Sequence, residues 1–109
     1  MTERRVLLEQ GAAAVGTAWA RSVCDGFAEE GRVIAGGWPG TLVEARARIA
    51  ARLRGDLSQR GMKALEPEEL DQAVNATYAR AKQEWLETER RAERARRSSK
   101  ALLSTRGGA

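Results

Sequence analysis

From Leu8 to Phe27 the apolar residues return at every third or fourth position, a spacing that winds into one continuous face only on a helix. Leu8, Ala12, Val15, Trp19, Val23 and Phe27 form that stripe, and Ala14, Arg21 and Asp25 take the far side. The pattern predicts a first helix over about Thr2 to Glu30. Gly11 and Gly16 interrupt it, each weakening a helix by roughly 1 kcal/mol relative to Ala. Either the helix breaks near Gly11, or the small series Ala12, Gly16, Ala20 admits a close neighbour. Gly31 then ends it, where a left-handed residue is needed.

Two more segments repeat the periodicity. Thr41 followed by Glu44 is a capping box, so a second helix starts at Thr41 and runs to about Gln59. Its expected buried face is Leu42, Ile49, Leu53 and Leu57, and Ala45, Ala47, Ala50 and Ala51 keep it slim. Gly61 marks its end. Pro67 suits the first turn of a third helix, and Glu68, Glu69 and Asp71 complement its positive pole. Leu70, Val74, Tyr78, Ala81 and Trp85 form the third apolar face. Between the first two helices, Val33-Ile34-Ala35 has no second strand to pair with. Trp38-Pro39-Gly40-Thr41 predicts a tight turn, with Pro fixing φ and Gly tolerating a positive φ.

The expected fold is all-α, a three-helix arrangement whose third helix extends into a basic, partly disordered tail. Trp19, Phe27, Trp38, Tyr78 and Trp85 are expected to close over the slim second helix and fill the volume its alanines leave. Past Leu86 the apolar stripe stops, which divides the chain into a body, residues 1–86, and a C-terminal extension, residues 87–109. Glu87/Arg91 and Glu93/Arg97 could carry the helix onward in solvent. Ser98, Ser99 and Arg106-Gly107-Gly108 predict fraying.

Charge follows the same division. Residues 1–86 hold twelve Lys/Arg and twelve Asp/Glu, whereas residues 87–109 hold seven and three, the whole of the net charge of +4. The cations Arg90, Arg91, Arg94, Arg96, Arg97 and Lys100 are therefore the candidate contacts to nucleic acid or another anionic partner. Arg outnumbers Lys sixteen to three; its planar fork suits phosphate and carboxylate, though Arg, Ala and Gly enrichment also follows from GC-rich coding.

Several function classes fall away on composition. No apolar run approaches the eighteen or so residues of a membrane span. With no His and one Cys, the common zinc sites and His-based triads are excluded. Cys24 has no base to activate it, and a lone Cys forms no intrachain disulfide, so a cytoplasmic protein is expected. Arg4, Arg5 and Ala18-Trp19-Ala20 imitate a signal peptide, but Glu9 and Gln10 interrupt its apolar region. Glu66, Glu68, Glu69 and Asp71 serve the helix dipole rather than a metal. Gly36-Gly37-Trp38-Pro39-Gly40-Thr41 opens a helix as an anion site would, yet lacks the spacing of a phosphate loop. A structural turn is the reading preferred.

Arg46 breaks the pattern by falling at the centre of the second helix's apolar face. Glu30 lies at the end of the first helix's stripe, and an antiparallel hairpin would bring the two together. An Arg46–Glu30 ion pair is one expectation, snorkelling of Arg46 to the edge another. No enzyme and no cofactor are expected. The function expected first is a protein-interaction or assembly module that self-associates or docks on a protein partner. The alternative is a nucleic-acid-associated protein whose tail contacts phosphates without reading sequence. Four to six tail cations on a duplex would give a salt slope of roughly −4 to −5.

Overall fold

The computed structural model describes the backbone of residues 2–107 and the side chains of residues 2–100. Three helices and no strand make up the described residues: α1 (Glu3–Glu29), α2 (Leu42–Gln59) and α3 (Pro67–Gly107). Each helix end carries the expected local chemistry. Thr2 caps α1 by accepting from Arg5 N, and Thr41 and Glu44 form the reciprocal capping box of α2. Gly31 (φ 70°) and Gly61 (φ 63°) close α1 and α2 in the left-handed conformation. The amides one residue on, Arg32 N and Met62 N, donate back to Phe27 O and Leu57 O.

The helix α1 runs unbroken through Gly11 and Gly16, because both glycines sit where another helix comes close. A Cβ on Gly11 would lie 2.8 Å from Leu53 Cδ2. A Cβ on Gly16 would lie 2.7 Å from both Arg80 Cβ and Thr77 O. The small-residue series is thus a contact seam, with Ala12 and Ala20 buried beside the glycines.

Pairs along the chain set the helix directions. Arg60 at the end of α2 meets Glu3 at the start of α1, and Ile49 and Leu53 meet Gly11, so α2 runs antiparallel to α1. Arg4 meets Glu69, Gly16 meets Thr77 and Arg80, and Phe27 meets Trp85. The first and last helices therefore run parallel, with α2 as the return stroke.

Packing departs from expectation at the start of α2. Leu42, placed on the buried face by periodicity, is exposed, as is Val43. The first turn of α2 precedes its packed segment, and Ala45, Ile49, Ala50, Leu53 and Leu57 form the buried face. Trp19 shares the core with Ala45, Ile49, Ala50 and Leu53 of α2, Arg48 of α2 lies over its ring at 5.3 Å, and Trp38 and Tyr78 both pack against that core. Trp38 reaches in from the connection between α1 and α2 and makes edge contacts with Trp19 (4.8 Å) and Trp85 (5.8 Å), and Trp85 makes another with Phe27 (5.2 Å).

The turn expected at Trp38–Thr41 is also absent, since the chain bends at Gly36 and Gly37, both with positive φ, and Gly40 has none. Gly40 is small for another reason: a Cβ there would lie 2.6 Å from the Trp19 ring.

Beyond Leu86 the helix continues without a break. Thr88, Glu89, Ala92 and Glu93 remain half-buried, so packing of the body extends a further two turns past Leu86. From Arg94 to Lys100 every side chain is exposed. Ser98 and Ser99, expected to fray, lie inside α3, whose backbone reaches Gly107; Gly108 lies outside the described residues. At about 1.5 Å per residue, the stretch from Arg94 to Gly107 forms an arm of roughly 20 Å.

Candidate functional site

The arm carries the candidate cations, and their ion pairs divide them into two groups. Glu87 pairs with Arg91 (3.8 Å), and Glu93 with both Arg96 (2.6 Å) and Arg97 (3.1 Å). The two pairs anticipated at four-residue spacing, Glu87/Arg91 and Glu93/Arg97, are thus both formed. Hydrogen bonds from Arg96, joined by the nearby guanidinium of Arg97, hold the Glu93 carboxyl below its ordinary pKa. Arg90, Arg94 and Lys100 form no ion pair among the described residues. Three of the six cations are spent on the helix itself, and three remain to meet something else.

Arg90, Arg94, Arg96 and Arg97 line a shallow open groove of about 780 Å³ with Glu89, Glu93, Leu86 and Ala35. Ala35 comes from the α1–α2 connection, which lies alongside α3 here. The groove therefore has an apolar floor and walls of both charge signs. It is open along its length and would not enclose a small molecule.

Glu30 and Arg46 are not paired with each other. Arg46 forms its ion pair with Asp71 at the start of α3, and Glu30 with Arg32 at 3.2 Å. The helical wheel correctly put Arg46 amid the stripe but could not say which helix lay beside it. Arg46 extends to the exposed edge between α2 and α3, the snorkelling alternative, while Glu30 caps α1 where the chain turns back toward Arg32.

At the Gly36–Thr41 loop, α2's N-terminus is capped from within the chain. Thr41 N and Thr41 Oγ1 both donate to Glu44 Oε1, at 3.1 and 3.0 Å, so the chain's own carboxylate fills the position. Cys24 is buried; desolvation pushes its thiol pKa up, away from the thiolate needed for chemistry.

One polar cluster had no sequence signal. Arg4 Nε and Nη2 donate to the two oxygens of Glu69, each at 2.7 Å. Its Nη1 and Nη2 also donate to Lys63 O and Ala64 O. Glu69 in turn accepts from Glu66 N at 3.0 Å, closing the start of α3. The Arg4 hydrogen bonds hold the Glu69 carboxyl down to about 2. This fork ties the beginnings of α1 and α3 to the α2–α3 turn, a structural role that only the parallel arrangement creates.

Among the described residues no three His, Cys, Asp or Glu side chains converge as a metal site would require, and no helix is long and apolar enough to cross a membrane. Among the described residues, three buried polar atoms have no hydrogen-bond partner: Trp38 Nε1, Thr77 Oγ1 and Trp85 Nε1. These features define an all-α three-helix protein with a projecting charged arm. No family model matches the chain, and neither does any curated protein or solved structure.

Proposed function

We propose that this protein is a small, non-enzymatic helical interaction module that self-associates through the arm of α3. The observation that carries this is the arm itself. A 41-residue helix leaves its body near Arg94 and continues with every described side chain in solvent. Helices gain most of their stability from packing, and isolated stretches are marginal in water. A charged helix held out from a packed body is suited to receiving a partner there. The buried free thiol of Cys24 fits a reducing, cytoplasmic setting.

The test is the molar mass in solution of the full chain and of a chain ending at Ala95. That truncation keeps every half-buried residue through Glu93, whereas removal of residues 87–109 would strip Thr88 and Ala92 from the body. The full chain is expected to self-associate, and the truncated chain, which keeps Arg90, Glu93 and Arg94 but loses Arg96 and Arg97, to stay folded and self-associate more weakly. Equal masses for the two would remove the arm from the assembly.

A second reading, contact with nucleic acid, is favoured by the confinement of the net positive charge to residues 87–109. With Arg90, Arg94 and Lys100 free, the slope of log affinity against log salt would be roughly −3, so a fourfold rise in salt would weaken binding about fiftyfold. Titration against two unrelated duplexes of equal length should then give equal affinities. Absence of binding at low salt would eliminate this reading.

A further inference from the structure

Resting on the self-association reading, we propose that α3 pairs over Leu86–Arg97, where it leaves the body and becomes the arm, with the same segment of a second copy, antiparallel, about a two-fold axis level with the Arg91–Ala92 bond. Leu86, Arg90, Glu93 and Arg97 follow one another at spacings of four, three and four, which places them along a single seam of α3. All four line the groove beside Ala35. In a two-fold antiparallel pair, residues equally far from the axis on opposite sides come level with each other, and every contact occurs twice.

That operation maps this segment onto its electrostatic complement. Along the seam, Arg90 comes level with the partner's Glu93, and Leu86 with the partner's Arg97, whose aliphatic stem can cover it. On the two flanks, Glu87 approaches the partner's Arg94, and Glu89 approaches the partner's Arg96. Every charged contact named is between opposite signs. The two cations left without an ion pair in the groove, Arg90 and Arg94, both receive carboxylates. A parallel pair would instead stack Arg90 on Arg90 and Glu93 on Glu93. A phosphate backbone laid in the groove would meet Glu89 and Glu93, which a second copy uses as contacts.

Two single substitutions test this by exchange. Arg90→Glu makes positions 90 and 93 both acidic, and Glu93→Arg makes both basic, so each variant repels its own copy at two symmetric contacts. Each is expected to self-associate about tenfold or more weakly than the natural chain, measured by sedimentation equilibrium at low salt. Mixing the two variants should restore the dimer, because acid then faces base at both contacts. The double variant carrying both substitutions in one chain should dimerise by itself, since the antiparallel operation pairs position 90 with position 93. Far-ultraviolet circular dichroism checks that the helices persist in all of them.

A natural chain that stays monomeric at every concentration would overturn both this pairing and the self-association reading. Dimers indifferent to either single substitution would overturn the pairing alone and leave assembly to another surface. Failure of the double variant to recover would overturn the antiparallel register, and assemblies larger than a dimer would overturn the closed two-fold pair.

Discussion

Replacing Gly16 by Ala tests the closest approach in the core. An added Cβ would lie 2.7 Å from Thr77 O, a backbone atom, and 2.7 Å from Arg80 Cβ, which its own backbone fixes. Real Cβ atoms essentially never come within 3.0 Å of such neighbours, so α1 and α3 would have to separate by several tenths of an ångström. Overpacking of this kind costs about 1–3 kcal/mol, against a helix-propensity gain of about 1 kcal/mol from replacing Gly. The net expectation is a loss on the order of 1 kcal/mol, or roughly 4–8 °C in Tm for a domain of this size. Gly26 and Gly55 lie in the same kinds of helix with nothing near their Cβ positions. Ala at either should stabilise by about 0.5–1 kcal/mol. Urea unfolding followed by circular dichroism gives all three values on one scale. Should Gly16→Ala raise the midpoint as the two controls do, the seam between α1 and α3 is not where the structure puts it.

The buried Thr77 hydroxyl has no partner, so Thr77→Val should raise stability by about 1 kcal/mol in the same unfolding assay; a loss of similar size would mean the hydroxyl is satisfied. Removing the α2 cap with Thr41→Ala should lower stability by about 1 kcal/mol, and no change would show the capping box to be idle. Glu69, held at about 2 against an ordinary 4.5, binds its proton more readily when unfolded. Its contribution is therefore fully present above about pH 4.5 and is lost as pH falls through about 2. The gap in unfolding midpoint between the natural chain and Glu69→Gln should be constant near neutrality and shrink across that window. A gap that persists down to pH 2 would remove the Arg4–Glu69 fork as its cause.

What was legible in the sequence is what neighbouring residues decide among themselves. The Thr41–Glu44 box, the glycines that close α1 and α2, and the Glu87/Arg91 and Glu93/Arg97 pairs all act within one helical turn or end. Their chemistry is complete before any tertiary contact forms. Gly40 could be small for its φ or for the space around it, and the sequence offered the first reason when the Trp19 ring supplies the second. A helical wheel gave Arg46 its face but not its neighbour, so Asp71 was missed. The boundary at Leu86 followed the end of the third apolar stripe. Thr88, Ala92 and the stem of Glu93 continue the packing with residues that carry little hydrophobic signal. Arg4 and Glu69 stand 65 residues apart, and only the parallel course of α1 and α3 joins them.

That parallel course governs the order in which the chain can acquire its structure during synthesis. Of the three helices, α1 is made first and finds its largest partner surface only in α3, made last. Until then α2 alone can shelter it, and the side of α1 that holds Gly16 and Phe27 faces water. Contacts between distant segments close slowly, because the intervening loop must first be brought together. A nascent chain ending anywhere before Trp85 leaves Trp38 and Phe27 without the ring they share. The three-helix unit is therefore expected to complete its packing only when α3 arrives, and a fragment of α1 and α2 to depend on chaperones rather than to persist as an independent hairpin.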